Sequence, residues 1–233
     1  MRVLFYYRGI ENLGVGYVMS MLKAHGHAVD RILGPGLDDN LFVKFPHLAW
    51  MNRHEELLQR AVGFKPDVIA MGCLTNLYPF ATKMAEMLKK RLPEVPIVMG
   101  GHHPQAIPDY VLSNPNIDIA CIGEGELAML ELVRRMEAGE DYTTVPTMWV
   151  KKDGIIHRNP MGELENELDK FPFPEKQLWY EYGCFKDNLE IFTGRGCPFK
   201  CTFCNIHYQR EIFKGKGDFL RKRSIENVME EFK

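Results

Sequence analysis

Cys197, Cys201 and Cys204 stand in the run Gly194-Arg195-Gly196-Cys197-Pro198-Phe199-Lys200-Cys201-Thr202-Phe203-Cys204, a C-x3-C-x2-C spacing. Three thiolates on one short loop can hold three corners of a cubane iron–sulfur cluster and leave the fourth iron without a protein ligand. An open iron can bind a substrate, as the open position of a catalytic metal site does. Gly194 and Gly196 let the backbone turn tightly against an inorganic core, and Pro198 stiffens the loop. His207, three residues after Cys204, offers a second assignment, a zinc site of three cysteines and one histidine. A disulfide framework fits poorly. Cys73 and Cys121 end apolar strand-like runs, where cysteine acts as a small buried hydrophobe, and Cys184 stands alone in a connecting segment. That usage suits a reducing cytosol.

A second set of candidates lies upstream. Met99-Gly100-Gly101-His102-His103-Pro104 and Ile122-Gly123-Glu124-Gly125-Glu126 each follow an apolar run. Glycine there allows backbone to approach a bulky ligand, and adjacent helix N-termini offer free N–H groups. The competing reading is that the glycines only make tight turns, with Glu124 and Glu126 favoured by the positive helix end. A dinucleotide site is weakly supported. Leu13-Gly14-Val15-Gly16-Tyr17 has two glycines where three are wanted, and Asp30 alone is placed like a ribose ligand.

The elements that position these residues read as α/β. Val3–Tyr7, Ala28–Leu33, Asp67–Gly72, Pro96–Gly100 and Ile117–Ile122 are strand candidates separated by amphipathic helices. Val15, Val18, Met19 and Leu22 mark one helix. Ala81, Met84, Ala85, Leu88 and Leu92 mark a second, and Met129, Leu132, Val133 and Met136 a third. Five strands with helices on both faces make a Rossmann-like doubly wound parallel sheet, whose ligands bind beyond the carboxyl ends of the strands. Its expected extent is residues 1–142. Residues 143–189 read as a hairpin, with Asp153-Gly154 in its turn, and a linker containing Phe171-Pro172-Phe173-Pro174, which favours extended conformations with phenylalanines free to pack on a neighbour. Residues 190–233 open with a strand over Glu190–Thr193, enter the cysteine loop and end in a helix capped by Ser224. The basic run Lys214, Lys216, Arg221, Lys222, Arg223 reads as a solvated loop before an anion site.

Of the 233 residues, 45% are hydrophobic and 26% charged, so the chain reads as an ordinary globular protein. A net charge of −2 gives no global electrostatic case for nucleic acid. The first apolar run is too short for a signal peptide and no stretch is long enough to span a bilayer, which points to the cytoplasm.

Taken in order, these stretches resemble the cobalamin-binding radical S-adenosylmethionine (SAM) proteins. The resemblance rests on Leu13-Gly14-Val15-Gly16-Tyr17, Gly100–Pro104, Gly123–Glu126, the Phe-Pro-Phe-Pro linker, the cysteine loop and Arg223-Ser224-Ile225-Glu226-Asn227-Val228. It implies a cobalamin domain followed by the first βα unit of a TIM-like radical SAM barrel. Cys197, Cys201 and Cys204 would ligate a 4Fe-4S cluster whose open iron SAM chelates, with Phe203 near the adenine. Thr75, Asn76, Gly100, Gly101, His102, His103, Gly123, Glu124 and Gly125 would lie along the cobalamin. The activity implied is reductive SAM cleavage with methyl transfer to an unactivated carbon of a small-molecule or peptide substrate, fed by an external flavodoxin- or ferredoxin-type donor. Ring formation or oxidation is the alternative within the class, and a non-enzymatic module with a zinc knuckle the alternative outside it. The D-x-H-x-x-G motif, which supplies a cobalt ligand in many cobalamin proteins, does not occur in the sequence. The chain reaches Lys233 inside the first barrel helix, so a fragment of a longer enzyme is expected.

Overall fold

Seven of the strands join in one sheet, and their order explains where a ligand can enter. The computed structural model describes residues 1–9, 11–34, 54–181 and 189–233; Cys184 lies outside them. The elements are β1 (Arg2–Arg8), α1 (Leu13–Ala24), β2 (Ala28–Gly34), α2 (His54–Phe64), β3 (Val68–Gly72), α3 (Tyr78–Arg91), β4 (Ile97–Gly100), α4 (His102–Ala106), α5 (Pro108–Ser113), β5 (Ile119–Cys121) and α6 (Gly125–Ala138). There follow β6 (Met148–Lys152), β7 (Ile155–Arg158), α7 (Gln177–Tyr180), β8 (Gly194–Arg195), α8 (Ile206–Ile212), β9 (Arg221–Lys222) and α9 (Ile225–Glu231).

The large sheet runs β2-β1-β3-β4-β5-β6-β7. Its first five strands are parallel, in register from Arg2 against Ala28 through Met99 against Ala120. This is the doubly wound order in which the chain leaves β1 to one side and returns to the other, so a crevice opens between the carboxyl ends of β1 and β3. Strand residues alternate between two cores, as the two-residue period of a strand requires. Leu4, Tyr6, Ile69, Met71 and Ile97 face α2, α3 and α5, while Val3, Phe5, Val68, Ala70 and Val98 face α1 and α6. Burial on both faces is why these strands read as unbroken apolar runs.

The hairpin expected over 147–158 forms and extends the sheet: β6 pairs antiparallel with β5 through Ile119–Val150 and Cys121–Met148, and β7 closes the edge. Asp153 and Gly154 sit at φ +52° and +77°, the left-handed pair a two-residue type I′ turn demands. Met148 and Val150 point into the α1–α6 core, so burial drives the docking.

The linker crosses the N-terminal half of α1. Gly16 is needed there: a β-carbon on it would lie 3.2 Å from Pro174 Cβ, and its carbonyl accepts from the Glu175 N–H at 3.0 Å. Phe171 buries against Tyr17, Met21 and Leu168, and Trp179 is fully buried, with its ring edge-on to Tyr7 and the Arg31 guanidinium 4.2 Å above it.

The strand expected over Glu190–Thr193 is displaced. The regular pairing is β8, antiparallel to β9 through Gly194–Lys222 and Arg195–Arg221, with Thr193 contributing only its carbonyl to the Arg223 N–H at 3.0 Å. Glycine decides the position. A β-carbon on Gly194 would lie 2.6 Å from the Arg221 carbonyl oxygen, and one on Gly196, at φ +82°, 2.0 Å from that of Phe219. Both glycines therefore serve the close approach of 219–222. The basic run is corrected too. Arg221 and Arg223 point inward on alternate residues and are buried in ion pairs with Glu124 and Glu231, whereas Lys222 stays exposed. Ser224 caps α9 as read, its Oγ accepting from the Asn227 N–H at 3.1 Å. Among the described residues no helix is long and apolar enough to cross a membrane.

Candidate cofactor site

A cavity of about 570 Å³ fills the crevice at the carboxyl ends of the parallel strands. Its floor is Ala70, Gly72, Val98, Gly100 and Cys121, one wall is Asn12–Val15 with Val18 at the start of α1, and Gly123–Glu126 with Met129 close the far side. The roof comes from another part of the chain: Phe192, Gly194–Gly196, Gln209, Phe213, Phe219 and Arg221. Pockets of this size with mostly apolar walls and a few convergent polar groups are what cofactor sites use.

Asn12 caps α1 by accepting from the Val15 N–H at 2.9 Å, which brings Leu13 and Gly14 to the wall. A β-carbon on Gly100 would meet only Cys121 Cβ, at 3.5 Å, so this glycine leaves room for the cavity. Gly72 and Gly123 are tighter. Their β-carbons would strike Tyr7 at 2.8 Å and Met161 at 2.5 Å, so packing as well as ligand access requires glycine at both. Gly101 holds φ +104° with Cys73 carbonyl 2.7 Å from where its β-carbon would be. Burial pushes the Cys73 thiol up to about 12 and that of Cys121 up to about 11, so both line the cavity as neutral groups.

The two histidines separate. His102 lies on the wall, where the Gln209 side-chain amide contacts its Nδ1 at 3.0 Å while also donating to Gln105 Oε1 at 3.1 Å. His103 turns away, buried 4.3 Å from the Tyr78 ring centroid with Nδ1 3.2 Å from Thr75 Oγ1, and burial lowers its pKa. Thr75 and Asn76 are exposed in the turn after β3, and neither they nor His103 is on the cavity wall. Asp30, the ribose-type candidate, pairs with Arg60 at 2.6 Å.

Cys197, Cys201 and Cys204 are free thiols, half-buried, exposed and half-buried in turn. The Cys204 N–H donates to the Cys201 carbonyl at 3.1 Å, and Arg210 on α8 donates to the Cys197 carbonyl. Among the described residues no three His, Cys, Asp or Glu side chains converge on one point, so Cys197, Cys201, Cys204 and His207 are not gathered as a single zinc ion needs. In a cubane each thiolate would bind a different iron, and the three cysteines stand on one loop, Cys201 exposed and Cys197 and Cys204 half-buried. Phe203 is 92% exposed beside them. The cavity fits a corrin in the same sense: a broad, largely apolar slot whose glycine floor leaves backbone in reach.

Charge is concentrated where the roof meets the β5–α6 turn. Arg195 spans Glu124 (Nη1 to Oε2, 3.0 Å) and Glu126 (Nη2 to Oε1, 2.5 Å), and Arg221 grips both oxygens of Glu124. Burial works against the Arg195 charge, but Glu126 and Glu124 outweigh it and leave the pKa above its ordinary value. The sequence reading places Glu124 along the ligand and Arg221 in a solvated basic run, and it gives no role to Arg195, Asn12 or Gln209. The one available signal was two acidic residues at 124 and 126 facing a Gly-Arg-Gly elsewhere in the chain.

Comparison with known proteins agrees with this geometry. The B12 binding domain family model matches residues 7–133. The chain is 29% identical over 223 residues to an uncharacterized methyltransferase of Pyrococcus horikoshii, covering 94% of this chain and 44% of the relative. It is 31% identical over 155 residues to the cobalamin-dependent radical SAM methyltransferase TokK of Streptomyces tokunonensis, covering 60% of this chain and 22% of that protein. Its fold matches that of the cobalamin-dependent S-adenosylmethionine radical enzyme OxsB, solved with aqua-cobalamin and S-adenosylmethionine bound, at a TM-score of 0.74 and 19% identity, over 99% of this chain and 31% of that one. The chain thus spans less than half the length of these relatives. With a B12 binding domain model over more than half its residues, the chain belongs to the B12-binding domain family, and among the proteins it resembles TokK and OxsB are cobalamin-dependent radical SAM enzymes.

Proposed function

We propose that this chain is the cobalamin-holding and cluster-bearing part of a cytoplasmic radical SAM methyltransferase. One observation carries the reading: a single cavity is floored by the B12-type strand ends and roofed by the segment that leads into the cysteine loop. Cys197, Cys201 and Cys204 would hold the 4Fe-4S cluster, and the wall from Asn12 to Val18 with Gly100, Gly101, His102 and Gly123–Gly125 would hold the corrin. When bound, the cluster and cobalamin supply reductive cleavage of SAM and carriage of a methyl group, chemistry that belongs to them rather than to the protein.

The chain's own part is positional. The α1 wall and Phe192, Phe213 and Phe219 of the roof line the cavity with apolar surface and would shield a bound corrin from water. The Gln209 amide, which spends one N–H on Gln105 Oε1, is placed to donate the other to His102 Nδ1. That leaves His102 to donate through Nε2, as a hydrogen-bonding residue and not a cobalt ligand. Methyl transfer is favoured over ring formation by the methyltransferase names of the Pyrococcus and Streptomyces relatives. The substrate would be a small molecule or peptide, and the electron would come from an external flavodoxin- or ferredoxin-type protein.

Anaerobic reconstitution with iron and sulfide tests the cluster. Close to equal iron and acid-labile sulfide, about four of each per chain, is expected, falling sharply in Cys201→Ala. One zinc per chain without labile sulfide would support the knuckle instead.

A further inference from the structure

Arg195 is the point at which four separate parts of the chain meet. Its guanidinium bridges Glu124 at the end of the β5–α6 turn and Glu126 in the first turn of α6, and its carbon lies 5.2 Å from the centroid of Tyr17 on α1 and 5.1 Å from that of Phe171 in the linker. Its own backbone is β8, paired with Arg221, whose side chain returns to the same Glu124 and to the Glu165 carbonyl at 2.9 Å. Two arginines against two glutamates make a neutral cluster. Side-chain exposures of 14% for Arg195, 3% for Arg221 and 4% for Glu126 place most of it out of water. Both carboxylates and the guanidinium nitrogens Arg195 Nη1, Arg195 Nη2, Arg221 Nη1 and Arg221 Nη2 are paired, while Arg221 Nε stays unpartnered among the described residues. A buried network of this kind fixes geometry more than it adds stability, because each group loses its partner if the elements slide.

Cys197 follows Arg195 by two residues, with only Gly196 between. We propose that Arg195 is a positioning residue: the Arg195–Glu126–Glu124–Arg221 joint sets where the cysteine loop stands over the cavity. Glu124 and Glu126 thereby act on the loop as well as lining the cavity. The planar fork of arginine is required, since one guanidinium serves two carboxylates from separate nitrogens and an ammonium cannot. The consequence for catalysis rests on the corrin-and-cluster reading; the joint itself does not.

Two measurements test it, the first independent of any cofactor. Trypsin can cut after Lys222 only when β9 leaves β8, so the rate of that cleavage reports the joint. Arg195→Lys and Glu126→Gln should each raise it by roughly tenfold or more, while cleavage after Lys83 and Lys89 in α3 keeps its wild-type rate. Wild-type cleavage after Lys222 in both variants would overturn the proposal. So would a matching rise in α3, because the residues would then hold the whole fold. In the second, chain that has taken up cluster and hydroxocobalamin is reduced, and the magnetic coupling between the two paramagnets is read by pulsed electron paramagnetic resonance. One defined coupling is expected in the wild type and a broad spread in Arg195→Lys; the same sharp coupling in both would overturn it. Failure of the wild-type chain to take up corrin or cluster would sink the proposed function while leaving the protease result to decide the joint.

Discussion

Replacing Gly196 by alanine should loosen the cysteine loop without touching the sheet that holds the cavity. Gly196 sits at φ +82°, and a β-carbon there would stand 2.0 Å from the Phe219 carbonyl oxygen and 2.9 Å from its carbon. Left-handed backbone costs a residue with a β-carbon about 1–2 kcal/mol. Ordinary contact returns only if the 219 carbonyl retreats by about 1.4 Å, which carries bonds near 3.0 Å beyond useful hydrogen-bond range. The Arg223 N–H to Thr193 carbonyl bond is one of these. Losing two such bonds at about 1 kcal/mol each brings the total to about 3–4 kcal/mol. That is roughly a 10²- to 10³-fold rise in local opening. Gly215→Ala is the internal control: its φ is +74°, but nothing lies within 4 Å of the added carbon, so only the backbone cost applies, about 5- to 30-fold. Native-state hydrogen exchange at residues 195 and 221–223 measures the difference, with β1 and β3 as the reference. Equal protection in Gly196→Ala and wild type would refute the close-approach argument.

Three further outcomes follow from the same structure. Trp179→Ala removes a fully buried ring that packs on Tyr7 and carries Arg31 above it; the urea midpoint should fall by the equivalent of about 3–5 kcal/mol, and an unchanged midpoint would mean the linker is not docked. Ser224→Ala should cost about 1 kcal/mol, confined to exchange within α9, through loss of the bond to the Asn227 N–H. Alkaline stability should fall in a defined window. Burial raises the Cys73 and Cys121 thiols from 9.0 to about 12 and about 11, so above pH 9 the unfolded chain sheds protons that the native state keeps. Stability is then whole below pH 9 and drains between pH 9 and about 11–12, with Tyr7 and Tyr17, also raised by burial, adding in the same direction. A urea midpoint that stays level from pH 8 to 10.5 would contradict this.

The parallel sheet was legible because its strands are buried on both faces, so Val3–Tyr7 and Asp67–Gly72 announce themselves as apolar runs with glycine at the end. The α1 stripe and the Ser224 cap were legible for the same reason, since local chemistry decides them. The short helices α4 and α5 were not, because Pro104 and Pro108 interrupt any periodic pattern. The docking of the hairpin on β5 depends on a long-range pairing of Cys121 with Met148 that no local pattern encodes. The glycines carry a second constraint that the motif does not reveal. Gly194 and Gly196 line the cavity, and the backbone of 219–222 also excludes a side chain at both. Charge was deceptive: Arg221 and Arg223 look solvated in a basic run until the two-residue period of β9 turns them inward to Glu124 and Glu231.

The most direct test of the account is to titrate the chain with hydroxocobalamin and follow its visible spectrum, alongside Gly100→Leu. The added side chain would fill cavity space that glycine leaves open next to Cys121. A saturable shift at one equivalent per chain, lost or weakened at least about tenfold in Gly100→Leu, is the predicted result. A wild-type chain that leaves the spectrum unmoved, or a Gly100→Leu chain that binds as well as wild type, would show that the crevice at the strand ends is not where a corrin sits.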